Sequence, residues 1–289
     1  MSFGEIVDGI FRSLRKTFWP LWWFLFLFNI PIELFFIYFE SVTDESLNVE
    51  WMLLLLLLGI YLFFLFPIFQ NACTKVVIHQ IKKEEHKLTI RFLFSNTFDQ
   101  YLRLLLANGF LLLLLVALAL FIMLPIGIPF YLFSSPDMQF VHSLTVVLIV
   151  GIMIWIFPAS YLGIRLSLTL PTITEERLSV RKAFARSWSL TRRSFFRLVG
   201  KWVLLFGLEF PIIFIYLGIY LAEILENAQF LFDFLLLVID PVFIALPHLL
   251  LSFIYVNQRA KKEGYDLALL LGERGGSPLS PKLNKLESS

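Results

Sequence analysis

Long uninterrupted apolar runs alternate with short polar segments along most of this chain. The clearest runs cover residues 51–69, 102–124 and 141–162. About 20 consecutive apolar residues form a helix long enough to cross the roughly 30 Å hydrocarbon core of a bilayer. Because these runs are apolar on every side, the pattern predicts helices that face lipid rather than the amphipathic helices of a soluble core.

Lysine and arginine are confined to particular parts of the chain. None of the 24 lies in three windows, 17–74, 104–164 and 202–258, which contain 11 of the 22 acidic residues. Each window is long enough for two spans and a short loop. Because short loops rich in Lys and Arg stay cytoplasmic, both termini are predicted to lie inside the cell. The predicted spans are about 18–39, 51–73, 102–124, 141–164, 202–222 and 234–256.

The three windows also predict an internal repeat. In each unit a basic amphipathic helix leads into a span, an acidic loop and a second span, and the second spans carry Pro67, Pro158 and Pro247 at matching positions. The predicted fold is an all-α polytopic membrane protein with six transmembrane helices in three pseudo-repeats, each led by a cytoplasmic interfacial helix. The repeat units cover about 2–83, 88–174 and 178–260.

A similar short motif follows the second span of each unit. The three copies are EEHKLTI at 84–90, EERLSV at 175–180 and KEGYDL at 262–267. Each copy follows a basic exit from the membrane, which supports the division of the chain into three units.

Composition favours a membrane domain over a soluble one. Hydrophobic residues make up 58% of the 289 residues and charged residues 16%, against about 45–50% and about 25% in soluble domains. We expect residues 1–271 to form a single membrane domain. The segment 272–289 contains Gly, Ser and Pro and is mostly polar, which predicts a disordered cytoplasmic tail.

Cations cluster in the helix that leads into the third unit. On a helix over 180–197, Val180, Phe184, Trp188 and Phe195 share one side and cations the other. Such helices lie in the headgroup plane, where each cation contributes about 1 kcal/mol of attraction to an anionic leaflet. The positive-inside rule alone also accounts for these cations. The predicted headgroup-binding residues are Arg181, Lys182, Arg186, Arg192, Arg193, Arg197 and Lys201.

A few ionisable residues fall inside the predicted spans. Charged groups are costly in hydrocarbon, so they face the interior of a bundle and are candidates for function. Glu209 and His248 are predicted at similar depths, where they can form a proton relay or hold a headgroup. Interhelical packing is the alternative explanation, and the scatter of the acids across the three units favours it. The candidate intramembrane polar site is Glu33, Glu209, Asp240 and His248.

Prolines within the predicted spans indicate kinked helices. The stretch 125–129 contains Pro125, Gly127 and Pro129. It is the one place where the sequence is also compatible with a broken helix of the kind that forms substrate sites in transporters.

Recognisable catalytic and cofactor motifs are missing from the sequence. His79 and His86 have no Cys or carboxylate partners at zinc spacing. There is no phosphate-binding loop, dinucleotide fingerprint or nucleophile elbow. The basic helix adjoins a span, which argues against a nucleic-acid partner. We therefore expect no metal, no cofactor and no enzymatic activity.

Three segments resemble a known family of bacterial membrane proteins. They are FGEIVDGIFRSLRKTF (3–18), RLSLTLPTITEERLSVRKAFARSWSLTRRSFFRLVG (165–200) and YVNQRAKKEGYDLALLL (255–271). They resemble proteins related to the membrane domain of glycerophosphoryl diester phosphodiesterases, in which this domain accompanies a soluble phosphodiesterase domain or stands alone. The resemblance implies a lipid-associated helical bundle. It transfers no catalytic residue, because no histidine of this chain is followed by the arginine of the soluble domain's His-Arg pair.

Taken as a whole, the sequence predicts a non-enzymatic protein of the bacterial inner membrane. We expect it to contact anionic phospholipids and to organise or sense the membrane or bind a membrane-protein partner. The second interpretation is a transporter or translocase of a lipid or small amphiphile that uses the intramembrane polar residues. A third, hydrolysis of a lipid headgroup, lacks a nucleophile–base pair. A polar cavity favours transport, and a sealed interior favours the scaffold.

Overall fold

Every described segment of the chain is helical or a short connection between helices. A computed structural model describes residues 3–42, 56–82, 88–97, 100–133, 140–192, 194–203, 207 and 229–264, and no strand occurs among them. The predicted all-α class is confirmed for these residues. The helices are α1 (Phe3–Val42), α2 (Phe66–Ile81, preceded by the π-helical turn Tyr61–Leu65), α3 (Ile90–Thr97), α4 (Tyr101–Phe133), α5 (Phe140–Leu166), α6 (Thr169–Glu176), α7 (Val180–Thr191), α8 (195–203) and α9 (Gln229–Glu263).

Four stretches of the described residues are long and apolar enough to cross a membrane. They are Leu56–Ile81, Tyr101–Pro129, Ile149–Glu176 and Val238–Glu263. These stretches overlap predicted spans two, three, four and six, so the chain has the helices of a multi-pass membrane protein. The count of six, the repeat, the inner-membrane location and the topology stay predictions. Most of the fifth predicted span, and the tail 272–289, lie outside the described residues.

The first predicted span lies on α1, which changes conformation at Thr17. There φ is −120° and ψ is 20°, outside the helical range, so α1 is interrupted close to the boundary predicted between the leading helix and the span. In the leading part, Ile10 and Leu14 are buried against the protein and Phe11 is exposed. An amphipathic helix can lie on a lipid surface or pack into a protein groove. The amphipathic pattern alone therefore does not show which of the two this helix contacts. The interfacial position of this helix stays a prediction.

The main core forms where α1, α2 and α9 meet. Phe24 of α1, Phe69 of α2 and Tyr255 of α9 are fully buried there. Gly9 allows α1 to approach α9 closely, because a Cβ at this position would lie 2.9 Å from a ring atom of Phe253. Small residues at such crossings permit the van der Waals packing on which helix association in membranes depends.

The leucine-rich helices α4 and α5 pack against each other and expose large apolar side chains. Leu113, Phe121 and Phe157 are among the most exposed. A surface of this composition is unfavourable in water and suits contact with lipid chains. This pair of helices therefore provides the most clearly lipid-facing surface among the described residues.

Prolines are accommodated within continuous helices. Helix α4 runs through Pro125 and Pro129, and α5 runs through Pro158. The alternative that 125–129 forms a broken helix is therefore wrong. Proline leaves a carbonyl without its usual amide donor, but the helix continues when packing holds the remaining turns in place.

Pro67 is accommodated by a side chain from another helix. The preceding residues 61–65 form a π-helical turn, and the backbone N–H of Phe66 donates to the carbonyl of Tyr61. This arrangement leaves the carbonyls of Leu62 and Phe63 without backbone donors. Asn108 Nδ2 of α4 donates to both of them, with a distance of 3.3 Å to the Phe63 oxygen. Asn108 therefore replaces the hydrogen bonds that the proline ring removes.

The basic segments meet at one end of the bundle, which we call the basic end. Ser13 of α1 donates to Gln80 near the end of α2. Lys82 lies 3.9 Å from Glu175 of α6, and Lys262 of α9 donates to a backbone carbonyl of α7. The segments predicted to share one side of the membrane are thus in contact, although the side they face stays a prediction.

Candidate functional site

Four of the predicted headgroup cations are exposed on α7 and α8 or between them. They are Arg181, Lys182, Arg192 and Arg197. None has an ion-pair partner within the part of the chain that the structure describes. We call these four residues the cationic surface. Arg193 lies outside the described residues.

Arg186 instead belongs to an ion-pair network that the sequence did not predict. Its Nε lies 3.1 Å from Glu176 Oε2, and its Nη2 lies 2.5 Å from Glu263 Oε1. Arg259 Nε lies 3.6 Å from Glu176 Oε1 and 3.3 Å from Glu263 Oε2. Tyr255 donates its hydroxyl proton to Glu176 at 2.9 Å. The network joins α6, α7 and α9, so Arg186 acts within the protein and is not counted in the cationic surface.

Lys201 is partly buried in α8. Burial, followed by the charges of Lys261 and Arg197, lowers the pKa of Lys201 to about 8. The ammonium group is therefore mostly protonated at pH 7 and loses its charge as the pH rises through 8. Above that pH, Lys201 contributes less to headgroup attraction.

Helix α7 docks on the end of α5 through small side chains. Ser187 Oγ donates to the carbonyl of Arg165 at 2.8 Å. Thr191 Oγ1 lies 3.2 Å from the same carbonyl and 2.9 Å from that of Ser187 in its own helix. Ala183, Ser187 and Thr191 are fully buried, whereas Trp188 is 39% exposed. The predicted apolar face, which includes Trp188, is therefore only partly covered by protein. Small residues make the protein contact because they allow close approach, and this leaves the aromatic side free to meet lipid.

Arg165, near the end of α5, lies in an aromatic cage that the sequence did not predict. Its Cζ is 5.2 Å from the ring centroids of Tyr161 and Trp188 and 5.4 Å from that of Phe195. Its Nε and Nη1 are buried without hydrogen-bond partners among the described residues. Cation–π contacts of about 0.5–2 kcal/mol each stabilise the guanidinium in place of a carboxylate. The cage therefore connects α5 to α7 and α8.

His248 lies in a fully buried polar cluster with three residues outside the predicted site. His248 Nδ1 lies 3.0 Å from Gln70 Oε1. Gln70 Nε2 reaches the hydroxyls of Ser252 and Thr74 at 3.0 and 3.1 Å and the carbonyl of His248 at 3.2 Å. All four side chains have 0% exposure. The cluster connects α2 to α9 and is sealed from the surface.

The hydrogen bonds of this cluster fix the tautomer of His248. Because Gln70 Nε2 donates to the His248 carbonyl, Gln70 Oε1 must face the imidazole ring. Nδ1 therefore carries the proton and donates, and Nε2 is left with a lone pair and no partner among the described residues. A sealed ring with a fixed proton suits interhelical packing rather than a proton relay.

Asp240 contacts a different helix from His248. Asn29 Nδ2 of α1 donates to Asp240 Oδ2 at 3.5 Å, and Trp22 Nε1 donates to the nearby carbonyl of Val238 at 2.8 Å. Asp240 therefore pairs with Asn29, and His248 pairs with Gln70. Asp240 and His248, the two members of the predicted site whose side chains are described, do not contact each other. Glu209 lies outside the described residues. Glu33 lies on the α1 backbone, but its side chain is not among those described.

A cavity of about 280 Å³ lies between α4, α5, α6 and α7. Apolar side chains form most of its lining, and neither Asp240 nor His248 contributes to it. Thr169 Oγ1 is buried in the lining without a hydrogen-bond partner among the described residues. The polar lining residues are Asn108, Ser160, Ser167 and Thr169.

Comparison with known families finds one whose model covers most of the chain. The family described as the membrane domain of glycerophosphoryl diester phosphodiesterase matches residues 46–260, about three quarters of the chain. The chain belongs to this family. No curated protein and no solved structure matches it. The match confirms the resemblance noted from the sequence and extends through most of α9.

Within this membrane domain, the sequence contained a signal for two features that we did not predict, the polar cluster around His248 and the ion-pair network. Gln70 and Thr74 are four residues apart, as are His248 and Ser252, so each pair lies on one side of its helix. Paired polar residues within otherwise apolar runs indicate an interhelical contact. For the ion-pair network, the signal was the acidic residue that EERLSV and KEGYDL share, since Glu176 and Glu263 come from these motifs.

Proposed function

We propose that this membrane domain is a non-enzymatic component of the bacterial inner membrane that binds anionic phospholipid headgroups at its basic end. Through this contact it organises or senses the bilayer or positions a membrane-protein partner. The observation that supports the proposal is the cationic surface, in which Arg181, Lys182, Arg192 and Arg197 are exposed and lack acidic partners among the described residues.

The aromatic residues around the cationic surface support the same conclusion. Trp188 is 39% exposed and Phe196 is 86% exposed, and both lie on the helices that carry the cations. Aromatic rings favour the headgroup region, where an apolar body and a polar edge are both accommodated. Cations next to exposed aromatic rings form a surface suited to a charged membrane interface.

The described ionisable groups support a role without catalysis. The carboxylates of Glu176 and Glu263 are held in ion pairs, and His248 is sealed with Gln70. A general acid or base has to reach the proton that it transfers. These groups instead stabilise contacts between helices.

Removing the cationic surface is expected to reduce the preference for anionic lipid at least tenfold. The variant carries Arg181→Gln, Lys182→Gln, Arg192→Gln and Arg197→Gln. Four cations at about 1 kcal/mol each provide more than the 1.4 kcal/mol that a factor of ten requires. The measurement is the ratio of phosphatidylglycerol to phosphatidylcholine retained by the purified full-length protein, determined by mass spectrometry.

A second variant separates position from total charge. It removes four other exposed cations, through Arg12→Gln, Arg15→Gln, Lys16→Gln and Arg91→Gln. We expect the retained lipid ratio to fall by a smaller factor in this control than in the first variant. It is not expected to stay constant, because the helix that carries Arg12, Arg15 and Lys16 is itself predicted to lie in the headgroup plane. Equal losses in both variants would mean that only net charge matters, and an unchanged ratio in the first variant would contradict the proposed function.

The cavity supports a second candidate function, the translocation of a lipid or small amphiphile. Because Asp240 and His248 do not line the cavity, this candidate now rests on the cavity rather than on those residues. Gly163 lines the cavity, and a Cβ at this position would meet no atom within 4 Å. Gly59 is exposed, does not line the cavity and has equally open space at its Cβ position, so it provides the control. In proteoliposomes, flux of a fluorescent phospholipid should stop with Gly163→Leu and continue with Gly59→Leu. Equal flux in both variants excludes a route through the cavity.

A further inference from the structure

The guanidinium of Arg165 has no oxygen partner inside its aromatic cage. Arg165 is 9% exposed, and no carboxylate or carbonyl among the described residues accepts a hydrogen bond from its side chain. The three rings stabilise the cation, but they do not provide the oxygen acceptors with which buried charged groups are normally paired. Nε and Nη1 are fully enclosed, whereas Nη2 is not. Nη2 is therefore the atom through which Arg165 can meet an anion.

The cage opens at the surface of the helix bundle. Tyr161 and Trp188 are each 39% exposed, so two of the rings that contact Arg165 also meet the surroundings of the protein. Arg165 lies in the last turn of α5, next to the basic end and at the depth where a span reaches the headgroup region. An anionic oxygen that reached Nη2 there would accept a charge-assisted hydrogen bond, about twice as strong as a neutral one.

A ridge of exposed side chains leads along α5 to Arg165. Met153, Phe157 and Tyr161 precede Arg165 at intervals of four residues, the spacing of one ridge on a helix surface. Met153 is 66% exposed and Phe157 is 78% exposed. Trp155, midway between these two, donates to a carbonyl of α4 at 3.2 Å. The ridge therefore lies on the side of α5 that faces away from α4 and is open to lipid chains.

We propose that Arg165 binds the phosphate of one membrane phospholipid through Nη2, and that an acyl chain of this lipid lies along the ridge of Met153, Phe157 and Tyr161. The twelve residues from Met153 to Arg165 cover roughly 18 Å, close to one leaflet of a hydrocarbon core about 30 Å thick. The ridge favours a phospholipid over free phosphate, because only a lipid has a chain to occupy it. The site rests on the proposed function for headgroups at the basic end, but Arg165 is not part of the cationic surface.

The binding test uses the full-length protein in detergent micelles. The probe is a phosphatidylglycerol with a diazirine in one acyl chain, and crosslinked residues are mapped by mass spectrometry. We expect labelling of α5 over residues 150–164. Arg165→Gln should raise the probe concentration for half-maximal labelling at least tenfold, the worth of a hydrogen bond to a charged group. Arg91→Gln, which removes an exposed arginine of α3, should label like the native protein. Equal labelling in the two variants would overturn the site.

Competitors identify the group that Arg165 recognises. Unlabelled phosphatidylglycerol should displace the probe from α5. A diacylglycerol with the same chains should require at least a tenfold higher concentration, because it lacks the phosphate. Inorganic phosphate should displace the probe less effectively than the phospholipid, because it makes no contact with the ridge. Equal displacement by diacylglycerol would overturn the phosphate contact, and equal displacement by inorganic phosphate would overturn the choice of a lipid.

Two exposed phenylalanines test the ridge without disturbing the cage. Phe157→Ala should raise the half-maximal probe concentration at least threefold, because the ring provides apolar contact for the chain. Phe121 of α4 is equally exposed, at 76%. It lies two residues from Met123, whose side chain would lie 3.0 Å from a Cβ at Gly151 of α5, so Phe121 is on the far side of α4. Phe121→Ala should bind like the native protein, and equal effects of the two variants would overturn the ridge. This comparison holds whether or not Arg165→Gln folds.

The lipid-ratio experiment separates this site from the proposed function, because its four-cation variant keeps Arg165. If that variant retained the native lipid ratio while Arg165→Gln lost the probe, the proposed function would be contradicted and this site supported. A reduced ratio, together with equal labelling in Arg165→Gln and Arg91→Gln, would overturn this site alone.

Discussion

Replacing Gln70 with methionine is expected to lower the free energy of unfolding by about 2 kcal/mol, a factor of roughly 30 in the equilibrium constant. Methionine matches glutamine in length but provides no partner for His248 Nδ1, which lies 3.0 Å from Gln70 Oε1. It also leaves the Ser252 hydroxyl without its amide donor. Because the cluster is fully buried, the His248 N–H finds no replacement partner, whereas the Ser252 hydroxyl keeps its contacts with Thr74 and with the His248 carbonyl. Reversible unfolding in mixed micelles measures the change.

A double variant is the control for this prediction. Adding His248→Leu to Gln70→Met removes the other partner, so no imidazole N–H is left without an acceptor and most of the stability should return. This recovery separates the cost of an unpaired donor from the cost of poor packing. Native stability in Gln70→Met alone would show that the hydrogen-bonded cluster does not hold α2 against α9. The same conclusion would follow if the loss of unfolding free energy in the double variant equalled the sum of the losses in the two single variants.

Replacing Glu176 with glutamine is expected to cost a similar amount, about 2 kcal/mol. Breaking a fully buried ion pair typically costs 3–5 kcal/mol, and the partial exposure of this site reduces the figure. The carboxylate lies close to the side chains of both Arg186 and Arg259 and accepts the Tyr255 hydroxyl. Its removal leaves two arginines to share Glu263. We also expect the loss to shrink at high salt, because salt screens the repulsion between those arginines.

Glu175 provides the matched control for Glu176. The two side chains are adjacent on α6 and equally buried, at 17% and 16% exposure, but the ion pair of Glu175 with Lys82 is longer, at 3.9 Å. Glu175→Gln should therefore cost less than about 1 kcal/mol. Equal losses in the two variants would show that charge on α6, rather than the geometry of the network, stabilises the basic end.

The sequence predicts where the helices of this protein lie along the chain better than it predicts which helices pack against each other. Length and hydrophobicity determine whether a segment crosses a membrane, because backbone groups in lipid must be satisfied within the helix. Which helices pack together depends on which of their faces meet. A span that is apolar on every side gives little indication in its sequence of the face that makes the contact. For this reason the run 102–124 was identified from sequence, whereas the contact of Gln70 with His248 was not.

Polar residues near the helix ends were ambiguous for a different reason. Arg186 and Arg181 both belong to one basic segment, yet the first is held by Glu176 and Glu263 and the second is exposed. The acids that make this difference come from separate helices. The hydrogen bond from Ser187 to the carbonyl of Arg165 likewise depends on the docking of α7 on α5. Neither outcome is contained in the local sequence.

The distance along the chain between Gln70 and His248 has a consequence for biosynthesis. Their separation is 178 residues, and at about 5–20 residues per second a ribosome needs roughly 9–36 s to cover it. During that interval the second span carries an amide that has no partner from α9, in surroundings where hydrocarbon supplies none. A nascent chain released before its last helix therefore displays a polar patch that the finished protein hides, and this patch distinguishes an incomplete product from a mature one.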